Sequence, residues 1–169
     1  MNSILSARRG FSLIELMIVV AVVAVLALLA MPSFTDRIVR KQVAETLPVV
    51  EFAKQNVALF RGLSGKFPVD NTEASLPPAD KIVGSFLSSV TVRDGVLVLV
   101  FGNGANPLLK GKQLALRPAY VPDYPQVPLV WVCAGAAVPD QMQVHGTDST
   151  DIPALYLPVA CRPGAAKKA

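Results

Sequence analysis

One long apolar run dominates the N-terminal part of the chain. Residues 11–34 carry a single charge, on Glu15. At about 1.5 Å of helical rise per residue, the run is long enough to cross the apolar core of a bilayer. Arg8 and Arg9 come just before it, as basic residues do on the cytoplasmic side of membrane segments. The pattern predicts a membrane-inserted helix, with the rest of the chain on the opposite side of the membrane.

The charge on Glu15 and the spacing of the alanines help to decide whether this run is a cleaved signal or a retained membrane anchor. A cleaved secretory signal would end in a small-x-small triplet, but the alanines of this run are spaced by three residues, so that no such triplet occurs. A plain anchor leaves Glu15 unexplained, because an ionisable group inside an apolar span costs a few kcal/mol and usually has a partner. A Glu15 that reaches water at the membrane surface would remove this objection, so the plain anchor stays open on these grounds.

A second helical pattern follows the apolar run. Pro32 lies between the two and Pro48 lies within the second, so we expect kinks near both prolines. Gly62 is a stop signal, which places the predicted helix end at Arg61. The first half of this helix is apolar on all sides and the second half on one side only. The one-sided stripe recurs at steps of three and four residues: Val39, Val43, Leu47, Val50, Ala53, Val57 and Phe60.

Short strand-like stretches replace the helical periodicity after an irregular, proline-interrupted segment, residues 62–84. Two of them, residues 90–92 and 96–101, flank Asp94-Gly95, which is typical of a β-hairpin. Residues 113–117 and 129–133 are the third and fourth strand candidates. The order predicts an α+β fold in which the helix stripe packs on an antiparallel sheet of about four strands.

The chain has two cysteines, Cys133 and Cys161, which have neither Cys-x-x-Cys nor metal-ligand spacing. The predicted orientation places them outside the cytoplasm, where disulfides persist. We therefore expect a disulfide rather than two free thiols. Closing this loop would stabilise the fold by about 3–4 kcal/mol.

The segment Gly10-Phe11-Ser12-Leu13-Ile14-Glu15 resembles the N-terminus of type IV pilins and prepilin-like proteins, which have a short basic leader, a glycine and then Phe-[Ser/Thr]-Leu-Ile-Glu. The resemblance implies that a prepilin peptidase cleaves between Gly10 and Phe11, and that Phe11 is then N-methylated. It divides the chain into a cleaved leader (1–10), a transmembrane and filament-core segment (11–34), an amphipathic helical segment (35–61) and a globular head (62–169).

The C-terminal part resembles type IVa major pilins of proteobacteria in three further segments. These are the strand Gly111–Leu116, the strand Trp131-Val132-Cys133 and the closing stretch Ile152–Cys161. The resemblance implies a pilin roll whose variable surface region is bounded by the disulfide, with residues 138–151 as a polar insert. Residues 62–89 match no pattern of the family.

Cleavage would give Glu15 a charged neighbour. It would create an α-amine at Phe11, four residues before Glu15 and on the same helix face. A carboxylate in a first turn also suits the positive end of the helix dipole. In a filament, Glu15 could instead neutralise the amine of a neighbouring subunit, and wrong registers would leave both charges unpaired. The residues do not choose between the two, and the resemblance favours the neighbour.

The net charge and the candidate catalytic or metal-binding residues indicate no further function. Loss of Arg8 and Arg9 with the leader takes the net charge from +4 to +2, which is too mild to indicate DNA binding. DNA contact by Arg162, Lys167 and Lys168 remains an alternative to a solvated, frayed tail. His145 and three aspartates (Asp140, Asp148 and Asp151) are expected to be solvated loop residues rather than a base or a calcium site. No catalytic set, metal site or cofactor is predicted.

These expectations describe a non-enzymatic structural subunit of a type IV pilus, which supports adhesion and twitching motility, with DNA uptake left as an open further role. It would wait in the inner membrane of a Gram-negative bacterium and then polymerise into an extracellular helical homo-oligomer. A prepilin peptidase and the assembly platform would be its partners. The alternatives are a minor pilin that binds DNA or surfaces, and a pseudopilin of type II secretion, although the cysteine pair disfavours the latter.

Overall fold

The computed structural model of the protein describes residues 10–164, with the side chains of residues 29–33 excepted. It divides into two compact units, one reaching Thr35 and one starting at Asp36. The two main helices are α1 (Leu13–Thr46) and α2 (Glu51–Ser64), with a 3₁₀ turn, Pro48–Val50, between them. The strands are β1 (Leu87–Arg93), β2 (Val96–Phe101), β3 (Gln113–Tyr120), β4 (Val130–Cys133) and β5 (Gln143–Val144).

The first unit consists of the start of α1. Its large apolar side chains are exposed on every side of the helix. Within the part of the chain that the structure describes, no helix is both long enough and apolar enough to cross a membrane. The predicted transmembrane segment, residues 11–34, includes residues 29–33, whose side chains lie outside the described part.

The prolines affect the helix differently. α1 ends at Thr46, two residues before Pro48, and Pro48 then begins the 3₁₀ turn, so the predicted interruption at this proline is confirmed. α1 continues through Pro32 as helix. The kink near Pro32 stays a prediction.

The predicted helix end at Arg61 was wrong, because α2 continues to Ser64. The left-handed residue that ends it is Gly65 (φ 72°), whose N–H donates to the carbonyl of Arg61 over 2.8 Å. The Ser64 hydroxyl also donates to the carbonyl of Phe60 over 2.8 Å and so satisfies another terminal acceptor. Both Gly62 and Gly65 could end the helix by their residue type. The hydrogen bond from the Gly65 N–H to the Arg61 carbonyl shows that Gly65 does so.

The helices of the second unit pack on one face of the sheet. Five residues of the predicted stripe are buried in the core: Val39, Val43, Val50, Ala53 and Val57. They form one cluster with alternate residues of the strands, among them Leu97, Leu99, Leu114 and Leu116. Leu47 is half-buried against the same cluster. The α+β fold and the side of the helix that faces the sheet are therefore confirmed.

The antiparallel sheet has the order β1-β2-β3-β4, with β5 beside β3. The β1–β2 turn consists of Asp94 (φ 47°) and Gly95 (φ 77°), both in the left-handed region that a two-residue hairpin requires. All four predicted strands are present, and β5 was not predicted. Ala119 pairs with Val130 of β4 and with Val144 of β5, so β5 lies on the side of β3 that faces β2.

Pro118 lies in β3, a strand with neighbours on both sides, where proline would ordinarily remove a ladder hydrogen bond. The β2–β3 register ends at the pair Leu97 and Leu116, so Pro118 lies beyond the last residue of β2 in that ladder. Its carbonyl still accepts a hydrogen bond from the N–H of His145, over 2.8 Å. The main chain at Pro118 therefore keeps its acceptor bond to the segment at β5, although proline supplies no donor.

The outer face of the sheet has a smaller apolar cluster, formed by Val96, Val98 and Ala115. The segment after β5 covers it. Gly146 lies against Val96, and the N–H of Ala115 donates to the Thr150 hydroxyl over 3.0 Å. The polar insert predicted for residues 138–151 is thus partly fixed to the sheet.

Asn71 closes the free edge of β1. This side chain is buried; its Oδ1 accepts from the N–H of Val92 (2.6 Å), and its Nδ2 donates to the carbonyls of Val90 (3.0 Å) and Pro77 (2.9 Å). One side-chain amide thereby satisfies two main-chain groups on the free edge of β1. Such pairing also protects the edge from other chains.

We predict that Asn71→Ala lowers the free energy of unfolding by about 2 kcal/mol, because buried main-chain groups lose their partners. Denaturant unfolding in detergent measures the change. Asn56→Ala is the matched control, since the Asn56 amide makes one exposed bond, to the Ser75 carbonyl. Equal effects of the two variants would contradict the role of Asn71.

Candidate assembly site

The predicted processing site lies just before the first helix. Gly10, Phe11 and Ser12 are exposed and have no regular secondary structure, and a side chain added at Gly10 would meet no described atom within 4 Å. Within residues 10–164, nothing therefore blocks access to the Gly10–Phe11 bond. The remainder of the predicted leader, residues 1–9, lies outside the described residues.

Glu15 lies in the first turn of α1. Its N–H donates to the Ser12 hydroxyl over 3.2 Å, so Ser12 is the residue that caps the helix. The cap also fixes where the helix begins, and with it the position of Glu15 relative to Phe11. The Glu15 side chain is exposed to solvent.

Ser12 is a functional candidate that the sequence reasoning missed. Its signal was present, because Ser-x-x-Glu before an apolar run is the pattern of a capping box. The sequence analysis treated this serine only as part of the family motif. The structure gives Ser12 and Glu15 a shared local role at the helix start, in addition to any role in assembly.

The apolar surface of α1 is extensive. Phe11 is 81% exposed and Leu28 is 69% exposed, and the large apolar residues between them are all at least half exposed. One side contains a shallow groove of about 360 Å³ lined by Leu16, Met17, Val20, Ala21 and Ala24. Contiguous exposed apolar surface of this kind marks a membrane-binding or protein-binding region.

A disulfide joins Cys133, at the end of β4, to Cys161. Cys161 is fully buried, and both sulfurs belong to the main core. The predicted pairing is therefore present in the structure. It ties the end of the sheet to the last turn of the described chain across a separation of 28 residues.

His145 is not the solvated loop residue that the sequence analysis expected. Its ring stacks on Phe67 at 4.2 Å between centroids, and its Nε2 lies 3.0 Å from Oδ2 of Asp94. The guanidinium of Arg61 lies over the rings of Phe67 and Tyr120, at 4.3 and 4.2 Å. This aromatic cluster joins the end of α2, the hairpin turn and β5. Its members come from separate elements, so no sequence pattern pointed to it.

Two of the three insert aspartates have structural roles. Oδ1 of Asp148 accepts from the N–H of Thr150 over 2.9 Å, and Oδ1 of Asp151 accepts from the N–H of Gln113 over 2.6 Å. For Asp140 the described residues provide no such bond. Among the described residues no group of three or more His, Cys, Asp or Glu side chains could hold a metal ion.

Arg162 also departs from the expected frayed tail. Its Nε donates to the carbonyl of Leu157 over 3.0 Å, and its Nη2 to the carbonyl of Leu155 over 3.5 Å. The side chain is therefore held against the chain just before it. Lys167 and Lys168 lie outside the described residues.

The apolar helix with its capped acidic start, and the disulfide-bounded α+β head, define the architecture of a structural assembly protein. Comparison with family models agrees. Residues 5–31 match the prokaryotic N-terminal methylation motif, and residues 39–162 match the model of pilin, a bacterial filament protein. The chain belongs to the pilin family.

Individual relatives support this assignment. The chain is 34% identical over 165 residues to the type IV major pilin protein PilE1 of Neisseria gonorrhoeae, covering 94% of this chain and 89% of that protein. It is 32% identical over 160 residues to a fimbrial protein of Neisseria meningitidis serogroup B, covering 92% and 94%. A fimbrial protein of Eikenella corrodens, EcpC, is 31% identical over 115 residues.

We predict that replacing both cysteines (Cys133→Ser with Cys161→Ser) lowers the free energy of unfolding by about 3–4 kcal/mol, because the unfolded chain regains the entropy of the open loop. Urea unfolding in detergent, with and without a reductant, gives the value. The reductant should lower the midpoint of the wild type and leave that of the double variant unchanged. A loss below about 1 kcal/mol would contradict the predicted contribution of the disulfide.

Proposed function

We propose that this chain is the repeating structural subunit of a type IV pilus, and that it polymerises through α1 after removal of the leader 1–10. The observation that carries the proposal is the apolar surface of residues 11–28, at and just before the start of α1, which the structure leaves exposed on all sides. Such a helix requires lipid or other apolar helices around it. A filament core made of copies of this helix satisfies the requirement.

Processing prepares the helix for that core. Cleavage after Gly10 by a prepilin peptidase removes Arg8 and Arg9, and N-methylation leaves a positively charged amine on Phe11. The accessible, non-helical geometry of residues 10–12 supports cleavage here. Before assembly the segment 11–34 holds the subunit in the inner membrane, with the head outside the cytoplasm. The assembly platform then moves subunits into an extracellular filament.

Glu15 would set the axial register of subunits in this scheme. In the apolar core, the carboxylate and the Phe11 amine of a neighbour each cost free energy if they remain unpaired. A subunit that enters in the correct register pairs the two charges, and a shifted one leaves both without a partner. The fixed helix start at Ser12 supports this role, because it holds Glu15 at a constant position in the first turn.

A minor pilin and a secretion pseudopilin remain the alternatives. The disulfide-bounded head and the major pilin and fimbrial relatives favour the repeating pilus subunit. Filaments sheared from the cell and analysed by mass spectrometry separate the candidates. We expect this chain to dominate the sheared fraction, to start at N-methylated Phe11 and to carry the disulfide. A chain that starts at Met1 would contradict the processing, and a scarce chain would contradict the repeating role.

We predict that Glu15→Gln reduces the recovery of filaments at least tenfold while the subunit still enters the membrane. An unpaired buried charge costs about 3–5 kcal/mol, which is more than a tenfold change requires. Quantification of sheared filaments against subunit in the membrane fraction measures the effect.

The glutamine keeps the size of the glutamate and one acceptor oxygen, so the variant mainly tests the charge. Ser12→Ala is the matched control, because it removes the helix cap, at about 1 kcal/mol, and leaves the charge of Glu15 in place. Normal filaments from Glu15→Gln would contradict the register role of the carboxylate, whereas a loss from Ser12→Ala would measure how far that role depends on the fixed helix start.

A further inference from the structure

A groove of about 330 Å³ lies on the second unit, between α1 and the C-terminal segment. Its lining consists of Arg37, Arg40, Lys41, Ala44, Pro158 and Val159. Three of these six residues are cationic, and all three belong to α1. Arg40 and Lys41 come three and four residues after Arg37, so the three side chains lie on one face of the helix. We refer to it as the basic groove.

Two of these cations face solvent. Arg37 is exposed, and the Lys41 side chain is 77% exposed, with only an exposed pair to Glu45 at 3.5 Å. Such pairs contribute little and are exchanged readily. Arg40 is held differently, because its guanidinium donates to the Leu155 carbonyl over 3.2 and 3.4 Å. Arg162 donates to the same carbonyl and so adds a fourth cation beside the groove.

Exposed apolar side chains accompany the charges. Val159 is 66% exposed and Leu155 is 52% exposed, and both come from the C-terminal segment at the groove. Cations beside exposed aliphatic side chains are typical of surfaces that bind the headgroup region of membranes. Single-stranded nucleic acid would be favoured by aromatic side chains beside the cations, and the six lining residues include none.

The position of these cations in the sequence points to the same partner. The apolar run ends at Phe34, three residues before Arg37, a separation of at most about 10 Å along the chain. Once the leader is removed, Arg8 and Arg9 are gone and Arg37 is the first cation after the run. When the run lies in a bilayer, the chain length alone keeps Arg37 within reach of lipid phosphates.

We infer that the basic groove binds the phosphate groups of anionic phospholipids at the outer surface of the membrane that holds the unassembled subunit. The inference rests on the membrane stage of the proposed function. Arg37 and Lys41 contact the phosphates, Arg40 fixes the wall of the groove, and Val159 and Leu155 enter the headgroup layer. Entry into a filament then requires release of the head from the lipid surface.

Amine labelling of the full chain tests this directly. The chain is placed in nanodiscs of phosphatidylcholine, with or without about 30% phosphatidylglycerol, and the labelling rates of Lys41 and Lys110 are compared by mass spectrometry. One cation near an anionic surface contributes a factor of about five, so Lys41 should be labelled at least about fivefold more slowly in the anionic discs. Lys110 is an exposed lysine outside the groove and should change less than about twofold.

Variants separate a specific groove from general attraction of positive charge. Arg37→Gln should restore most of the labelling of Lys41 in anionic discs, and Arg37→Lys should keep it slow. Lys66→Gln is the matched control, because it removes one exposed cation outside the groove. Restoration of labelling by both glutamine variants would contradict a role for the groove.

Equal labelling of Lys41 in the two kinds of disc would also overturn the inference. The inference would also fail if inorganic phosphate slowed the labelling of Lys41 in micelles to the same extent, because the groove would then be a site for free anions. It would fail likewise if only duplex DNA slowed that labelling. Alkaline carbonate extraction keeps this test separate from the proposed function. A chain that is retained in the membrane with Lys41 unprotected contradicts the lipid contact alone, whereas a chain that is extracted contradicts the membrane stage and this inference with it.

Discussion

The packing of α2 and the second part of α1 on the sheet is the interaction on which the rest of the head depends. The fully buried helix side chains that make it are small or β-branched, and Val39, Val43 and Val57 are completely buried. The first part of the same helix has no such covering, since its large apolar side chains are exposed on all sides. One continuous helix therefore contains a segment satisfied by its own chain and a segment that needs other molecules. The head buries its own apolar face, whereas the apolar surface of the first part of α1 can be buried only by lipid or by other subunits.

The charges around the exposed segment fit this division. Glu15 stands at its start, held in the first turn by the Ser12 cap, and the basic groove begins three residues after its end. A carboxylate within apolar surroundings favours a specific partner, because leaving it unpaired is costly. Cations at a membrane surface act through a field and require no single partner. The two ends of the exposed segment therefore control different steps in our proposals. Glu15 sets the register of subunits in the filament, and the cations of the basic groove hold the unassembled subunit at the membrane.

Elements set by local pattern could be predicted from the sequence, and so could the disulfide between the two cysteines, whereas most other contacts between distant segments could not. The Asp94-Gly95 turn and the stripe from Val39 to Val57 follow from residue type and spacing, as does the interruption at Pro48. The helix end was misplaced because Gly62 and Gly65 carry the same signal and hydrogen bonds decide between them. For His145, no pattern could reveal the stack on Phe67 or the bond to Asp94, because these residues are brought together only by the folded sheet. At the candidate site, the Ser12 cap could be predicted from the pattern Ser-x-x-Glu. The basic groove could not be predicted, because one wall contains Val159, which is far from Arg37 in sequence.

Several of the bonds that fasten the segment from β5 to Asp151 to the sheet come from its main chain. Gln143 and Val144 pair with β3, the N–H of His145 donates to the Pro118 carbonyl, and the N–H of Asp151 donates to the Gln113 carbonyl. Bonds of this kind do not depend on which side chains the segment carries. The exposed stretch 139–141 just before it, which includes Asp140 and Gln141, could therefore be exchanged for a foreign peptide at little cost to the fold. Grafted there, an epitope would be displayed once per subunit, so that a single filament would present it as a dense, regularly spaced array.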